Sequence, residues 1–250
     1  MSLHLQMVGT GSAFAKTLYN TSALLVSEHG QILIDCGASV PKALHELNIE
    51  PDQLNGIVIS HIHADHVAGL EEIAFRLCYQ YNNKRIKLYI TEPLADILWE
   101  NTLKGSMYNP QEGFTSLSNY FDVSFLIENT PAELLPGLVI EPIRTLHMKD
   151  KISYSFFINE KTFYSADVLF NEQLLLQQVV HDRGCHTILH DCQLKGHGAV
   201  HATLAELLTL PEDVQQRIYL MHYDDTMPQY IGQTGRMRFI EQHQVITLDA

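Results

Sequence analysis

The segment IVISHIHADHVAGL, residues 57–70, constrains the fold more than any other stretch of the chain. Its β-branched start predicts a strand that ends at Ser60, and apolar residues at helical spacing predict a helix that begins near His66. The loop between them carries four side chains of metal-binding types: His61, His63, Asp65 and His66. Because side chains alternate along an extended backbone, His61 and His63 can hold one ion, while Asp65 and His66 are free to face a second.

Two closely spaced ions form a template for hydrolysing phosphate or acyl bonds, because they activate water and stabilise the oxygens whose charge changes. The alternative is a surface loop that is rich in histidine and binds no metal. Against it, three imidazoles this close repel one another when protonated, and the group is hard to satisfy when buried without an ion. The segment therefore predicts a metal site on a strand-to-helix loop.

Length and composition narrow the class of protein. At 250 residues, without a linker, repeat or low-complexity block, the chain is expected to form one domain over 1–250. It has no apolar run of membrane-spanning length and no signal region, and its four scattered cysteines fit reduced thiols. We therefore expect a cytoplasmic protein without membrane contact. A net charge of −13 disfavours binding to an extended nucleic acid.

The predicted elements begin with strands and then alternate between strands and helices, which is typical of an αβ/βα sandwich. The predicted strands are 3–8, 22–27, 31–35, 57–59, 86–90, 121–127, 138–146, 152–158, 162–165, 186–189 and 217–221. The predicted helices are 39–47 (capped by Ser39), 66–80, 93–104 and 171–181. Segment 105–120 breaks the pattern yet carries four large side chains. Three interpretations stay open for it: a lid that stacks on a base, a loop folded onto the core, or a contact with a partner subunit.

The run from His61 to His66, with its preceding apolar strand and its trailing Gly-Leu, closely resembles the metal-binding motif of the metallo-β-lactamase superfamily. The resemblance implies an α/β fold, the four-layer αβ/βα sandwich of that superfamily, and three further ligands downstream. His147 follows strand 138–146, and His222 follows strand 217–221. Asp167 ends a Ser-Ala-Asp run that resembles the superfamily's Ser-Gly-Asp, with Ala166 in place of the usual glycine.

By the family's pattern, one ion is held by His61, His63 and His147, the other is held by Asp65, His66 and His222, and Asp167 bridges the two. We expect two Zn²⁺ ions because imidazole-rich sites suit zinc, with Mn²⁺ as the alternative. The resemblance also implies that Asp35, at a strand end, supports the ligands indirectly. Capping of the following helix is the other interpretation of Asp35.

After strand 186–189 the resemblance narrows to the ribonuclease Z-like branch of the superfamily. His190-Asp191 matches the branch's His-acid pair, and His201-Ala202-Thr203 matches its His-Ser-Thr at a helix start. The resemblance implies that His201 is the general acid that protonates the leaving alkoxide, that Asp191 orients and charges His201, and that Asp65 holds the attacking water in line. The alternative is that His201 only caps its helix.

Ribonuclease Z clamps RNA with a long basic arm between the third histidine and the bridging aspartate, whereas here only a hairpin separates His147 from Asp167. Among small members of the branch, the chain is similar to the anti-Pycsar phosphodiesterases of phages and bacteria, including in its HDCQL, HATLAELLTL and MHY segments. This resemblance implies a homodimer that hydrolyses a small anionic phosphodiester, cyclic CMP or cyclic UMP first, in the host cytoplasm if the protein is phage-encoded.

Three other functions remain compatible with the sequence: a ribonuclease Z-type endonuclease for transfer RNA, a broad thioester or lactone hydrolase of the same fold, and a module that binds nucleotides without catalysis. No single residue of the sequence indicates hydrogen bonding to the edge of a pyrimidine base, so the base preference stays open. The native metal and a phage or bacterial origin stay open as well.

Overall fold

The computed structural model describes residues 3–248, so two residues at each end of the predicted 1–250 domain lie outside the described part. Within it, the strands form two seven-stranded sheets. In spatial order, the first sheet contains β14 (Val245–Leu248), β1 (Leu3–Gly9), β2 (Ser22–Ser27), β3 (Gly30–Ile34), β4 (Gly56–Val58), β5 (Lys87–Thr91) and β6 (Asp122–Leu126). The second contains β13 (Arg238–Phe239), β12 (Ile218–Met221), β11 (Thr187–Asp191), β10 (Thr162–Tyr164), β9 (Tyr154–Ile158), β8 (Leu138–Arg144) and β7 (Ala132–Leu135).

Helices flank both sheets. The α-helices are α1 (Val40–Glu46), α2 (Ala64–Val67), α3 (Leu70–Tyr79), α4 (Glu92–Leu98), α5 (Lys104–Met107), α6 (Leu117–Tyr120), α7 (Leu204–Leu207) and α8 (Glu212–Gln215). Trp99–Leu103 and Leu174–Asp182 are π-helical, and Pro51–Gln53 and Met227–Tyr230 are short 3-10 turns. Across the described chain, no helix has both the length and the apolar character needed to span a membrane.

The strands of the second sheet divide their apolar side chains between two cores. Phe156 and Leu189 belong to the core between the sheets, whereas their neighbours Phe157 and Ile188 pack beneath the outer helices. Successive side chains on a strand point to opposite faces, so a sheet covered on both sides is apolar at nearly every position. All of β9 is accordingly buried. The layers run helix, sheet, sheet, helix, which confirms the predicted four-layer αβ/βα sandwich.

Two of the predicted helices have different ends in the structure. The helix predicted at 66–80 begins earlier, as α2, and is interrupted at Gly69 before α3. Gly69 packs so closely on Gly37 that a Cβ there would lie 2.4 Å from the Gly37 carbonyl oxygen. The helix predicted at 93–104 extends through α5 by way of its π-helical turn.

Ser39 precedes α1 as predicted, but its side chain does not cap that helix. Its hydroxyl instead donates to Oδ1 of Asn20 at 2.7 Å and accepts from the Asn20 amide at 2.7 Å. The sequence patterns also do not predict β7, β13 and β14. All three lie at sheet edges, where only part of each strand is buried and the alternation of apolar residues is weak.

Segment 105–120 folds onto the core of its own chain. Met107 and Tyr120 are buried, and the Tyr120 hydroxyl donates to the Met107 carbonyl oxygen at 2.7 Å. Phe114 stacks on Tyr120 with 4.6 Å between ring centroids, whereas Tyr108 remains exposed. Of the three interpretations of this segment, packing on the core is the one that the structure shows for Met107, Phe114 and Tyr120.

Candidate metal centre

The site lies where several strands end at one edge of the sandwich. β3 and β4 run parallel, β10 to β12 run parallel, and β8 shares the direction of β10 because both are antiparallel to β9. His61, His147, Asp167 and His222 follow the ends of β4, β8, β10 and β12 respectively. The backbone turns sharply there, because Asp35, Ala166 and His222 adopt left-handed conformations with φ of 59°, 48° and 58°.

One group of potential ligand atoms comprises Nε2 of His61, Nδ1 of His63, Nε2 of His147 and Oδ2 of Asp167. The Nδ1 atom of His63 lies 3.1 Å from Nε2 of His61 and 3.1 Å from Nε2 of His147. Oδ2 of Asp167 lies 3.7 Å from the Nε2 atoms of both His61 and His147. The four ligand atoms all lie within 4.8 Å of one another.

A second group comprises Oδ2 of Asp65, Nε2 of His66, Nε2 of His222 and Oδ1 of Asp167. Oδ1 of Asp167 lies 3.3 Å from Nε2 of His66 and 3.3 Å from Nε2 of His222. Oδ2 of Asp65 lies 3.4 Å and 3.3 Å from the same two nitrogens. Asp167 therefore turns one carboxylate oxygen toward each group, which is the arrangement expected of a bridging ligand.

These distances fit a metal ion in each group. Tetrahedral bonds of about 2.0–2.1 Å to zinc put neighbouring ligand atoms about 3.3 Å apart. Within residues 3–248, the buried Nε2 of His66 and Oδ1 of Asp167 have no hydrogen-bond partner. Buried polar atoms are almost always satisfied, so these two orphaned atoms facing each other indicate an ion between them.

Contacts behind the imidazoles leave their ligand nitrogens free. Nδ1–H of His66 donates to Oδ2 of Asp35 at 2.7 Å, and Nδ1–H of His147 donates to the Val200 carbonyl oxygen at 2.6 Å. The Ser60 hydroxyl donates to Asp35 at 2.6 Å and lies 3.0 Å from Nδ1 of His61. Each contact holds a ring in place and presents its Nε2 lone pair to the centre.

The electrostatics of the first group also favour ligation. Burial lowers the pKa of His61 well below its usual range, with added repulsion from His66, and burial likewise lowers the pKa values of His63 and His147. Neutral imidazoles are the form that binds metal. In the second group burial alone would lower the pKa of His66 and His222, but Asp167 and the other nearby carboxylates raise both.

A second constellation lies directly beside the two groups. Nδ1–H of His201 donates to Oδ2 of Asp191 at 3.0 Å and lies 3.9 Å from Oδ2 of Asp167. Its ring centroid lies 4.9 Å from that of His147 and 4.8 Å from that of His222. Burial by itself would raise the pKa of the Asp191 carboxyl, but the contacts with His190 and His201 lower it by more. The net result is a pKa below the usual value of an aspartate.

The structure brings together every predicted site residue. The seven predicted ligands form the two groups, and His201 and Asp191 lie beside Asp167. Thr203, not His201, caps α7: its hydroxyl accepts from the Glu206 amide, so capping does not account for His201. Sequence reasoning missed the Ser60 hydroxyl and the Val200 carbonyl. Ser60 stands directly before the motif, whereas no sequence signal points to a backbone carbonyl.

This fold and these paired groups define a metallo-β-lactamase-fold protein with a candidate metal centre. Among solved structures, the metallo-β-lactamase fold protein YhfI from Bacillus subtilis superposes with a TM-score of 0.77 over 99% of this chain and 100% of that one, at 16% identity. The family model for anti-Pycsar protein Apyc1 matches residues 3–246, and the chain belongs to that family.

Curated relatives from this family align with the chain over nearly its whole length. The Apyc1 protein of Paenibacillus xerothermodurans is 51% identical over 244 residues, which cover 98% of this chain and 97% of the relative. The Apyc1 protein of Bacillus phage BSP38 is 40% identical over 255 residues and 98% of both chains. Phage and bacterial proteins thus share the family to which this metal-binding chain belongs.

Proposed function

We propose that this chain is a dinuclear-metal phosphodiesterase that hydrolyses small cyclic nucleotides, with cyclic CMP and cyclic UMP as first candidates, and so counters cyclic-nucleotide antiphage signalling. The observation that carries the proposal is the hydrogen-bonded His201–Asp191 pair beside Asp167, the carboxylate shared by both ligand groups. Hydrolysis of a phosphodiester releases an alkoxide, which needs a proton donor at this place. Hydrolysis of a thioester or lactam needs such a donor less.

Zinc is the expected metal because both groups are rich in imidazole, and Mn²⁺ is the alternative. Two bound ions would activate water and stabilise the charge that develops on phosphate oxygens. With two carboxylates, Asp65 and Asp167, against two dications, the loaded centre keeps a charge of about +2. That local charge favours an anionic diester despite the acidic chain.

The chain's own residues supply position and a proton. We assign to Asp65 the orientation of the attacking water, whose oxygen becomes bonded to phosphorus as the bond to a ribose oxygen breaks, while the proton that the water loses passes to solvent. Because Nδ1–H of His201 is held by Asp191, the proton for that ribose oxygen comes from Nε2. The His201 side chain is 21% exposed, so a substrate can reach it, whereas Asp191 is fully buried.

The surroundings favour a small substrate. The chain between His147 and Asp167, all of it described, contains a short loop and the β9–β10 hairpin, and so holds no arm that could clamp RNA. The net charge of −13 also opposes an extended polyanion. As the resemblance seen in the sequence implies, we expect the enzyme to be a homodimer, which light scattering would test.

The proposal is tested by incubating the zinc-loaded protein with 2′,3′- and 3′,5′-cyclic nucleotides, an unprocessed transfer RNA and a thioester, and ranking kcat/KM. We expect a 3′,5′-cyclic nucleotide to rank first. Preferred cleavage of the transfer RNA or the thioester would contradict the proposal, and so would binding and release of the cyclic nucleotide without hydrolysis.

A variant series isolates the proton donor. His201→Ala is expected to lower kcat on the cyclic nucleotide by about 100- to 10,000-fold. The loss should be much smaller on bis-p-nitrophenyl phosphate, whose leaving group departs without protonation. His181→Ala, which removes an exposed histidine on the outer helix, is the matched control. Equal losses of His201→Ala on the two diesters would argue against the assigned role.

A further inference from the structure

The loop between β1 and β2 carries the most exposed large apolar side chain of the described residues, Phe14, which is 87% accessible. The two ends of this loop lie beside members of the second ligand group. At its first end, the Ser12 amide donates to the carbonyl oxygen of Tyr223 at 3.0 Å, and Tyr223 directly follows the ligand His222. The loop therefore starts beside one candidate ligand.

The other end of the loop adjoins a second candidate ligand. Asn20 and the carbonyl of Asp65 both press on Gly37: a Cβ at Gly37 would lie 2.8 Å from Cβ of Asn20 and 1.9 Å from the Asp65 carbonyl oxygen. The two ends also meet each other, because a Cβ at Gly9 would lie 2.2 Å from the Asn20 carbonyl oxygen. The chain between these ends consequently begins and ends next to the backbone of the second ligand group.

The projecting part is held by specific bonds. Asp225, three residues after His222, accepts hydrogen bonds from the backbone amides of Lys16 and Thr17 at 2.8 Å and 3.0 Å and from the Thr17 hydroxyl at 2.6 Å. Leu18 packs against the second core. Phe14 is thus presented to solvent by a fixed backbone, and the loop need not be ordered when a ligand arrives.

Phe14 also lies at a suitable distance from the chemistry. It is two residues beyond Ser12, and two extended residues span at most about 7 Å, so its backbone stays within about 7 Å of the residue that is hydrogen-bonded to Tyr223. A nucleobase offers a π-face to such a ring whatever its hydrogen-bonding edge. Ala13 and Ala15 on either side of Phe14 are small, and Ser12, Lys16 and Thr17 beyond them are polar, so Phe14 is the one large apolar side chain from Ser12 to Thr17. A single exposed ring suits stacking on one base better than a broad protein interface.

We propose that Phe14 forms the nucleobase subsite of this enzyme, stacking on the base while the phosphodiester occupies the metal centre. This inference rests on the proposed function and extends it to a base-binding residue. Stacking is tolerant of base identity, so the subsite selects diesters that carry a base over those that do not.

The test compares Phe14→Ala, Phe14→Tyr and wild type on 3′,5′-cyclic nucleotides and on the base-free 1-O-methylribose 3′,5′-cyclic phosphate. Phe14→Ala is expected to lower kcat/KM for the nucleotide about 5- to 100-fold, chiefly by raising KM. The same substitution should change kcat/KM for the base-free diester by less than about 2-fold. Phe14→Tyr keeps the ring and should retain most activity. Phe125→Ala is the matched control, because Phe125 is 55% exposed on the edge strand β6.

A binding measurement supplies a second readout without turnover. Calorimetry with a nucleoside 5′-monophosphate and with ribose 5-phosphate should show that Phe14→Ala weakens only the former. Three results for Phe14→Ala would each overturn the subsite: an equal loss of affinity for ligands with and without a base, no loss of affinity for either ligand, or dissociation of an oligomer in light scattering. Because calorimetry needs no hydrolysis, it decides the subsite even if wild type cleaves no diester, a result that would overturn the proposed function alone.

Discussion

Oδ2 of Asp35 accepts a hydrogen bond from Nδ1–H of His66 at 2.7 Å, and both side chains are fully buried. Asp35 also accepts from the Ser60 amide at 2.8 Å and from the Ser60 hydroxyl at 2.6 Å. A single carboxylate at the end of β3 therefore orients a candidate ligand and the start of the ligand loop. Sequence reasoning offered helix capping as the alternative for Asp35, and the structure shows the supporting contact instead.

Asp35→Asn should weaken metal binding by about 10- to 100-fold, because residues that orient a ligating imidazole typically have effects of that size. An amide in this place cannot accept all three hydrogen bonds with the strength of a carboxylate. Competition with a chromogenic chelator measures the affinity. Asp96→Asn on the exposed face of α4 is the control, and an affinity for Asp35→Asn equal to that of the control would contradict the role of Asp35.

The metal stoichiometry should fall when either ligand group loses a member. Wild type is expected to bind two equivalents, and His147→Ala and His222→Ala about one each, because the remaining group keeps its own ligands and its own oxygen of Asp167. Metal analysis after gel filtration gives the numbers, with His181→Ala as the control. A wild-type protein that takes up only one equivalent would refute the dinuclear assignment.

Ala166→Gly should stabilise the protein by roughly 0.5–1 kcal/mol. Ala166 has a φ of 48°, a conformation that costs an L-residue roughly 1–2 kcal/mol, and glycine adopts it without that cost while losing somewhat more chain entropy on folding. Urea unfolding of the metal-loaded protein measures the change. Ala205→Gly, at an exposed position of α7, should instead destabilise by about 1 kcal/mol. A loss of stability in Ala166→Gly would show that the turn is not strained.

Arg183→Met should destabilise the protein by about 2 kcal/mol, because it leaves Glu141 buried without its partner. Nη2 of Arg183 donates to Oε1 of Glu141 at 2.7 Å, and the guanidinium lies 4.7 Å from the Phe157 ring centroid. The Glu141 side chain is 6% exposed but that of Arg183 is 33% exposed, so the loss should be smaller than for a fully buried pair.

The double variant Arg183→Met/Glu141→Leu is the informative companion, since it removes the buried charge together with its partner. Its urea unfolding midpoint should return toward that of wild type. If the double variant is less stable than Arg183→Met, the stabilisation comes from packing around the guanidinium and not from satisfying the carboxylate.

The sequence alone was enough to predict the central strand–loop–helix and the metal-binding residue types, because periodicity and spacing are local properties. The resemblance it carries also led to the downstream candidates His147, Asp167, Asp191, His201 and His222. Single-sequence patterns failed at the edge strands β7, β13 and β14, which have few buried side chains. β14 and β13 also depend on pairing with the more distant strands β1 and β12, whereas β7 is the short arm of a local hairpin with β8.

Only the tertiary structure decided how these groups meet. It selected Nδ1 of His63 but Nε2 of His61, gave each ligand group one oxygen of Asp167, and placed the Val200 carbonyl behind His147. It also showed that segment 105–120 packs on the core and that the two ends of the Phe14 loop lie beside the backbones of Tyr223 and Asp65. The contacts of Asp167 with His61 and of Val200 with His147 join residues far apart in the chain, so they depend on how the two sheets pack and not on the local order of amino acids.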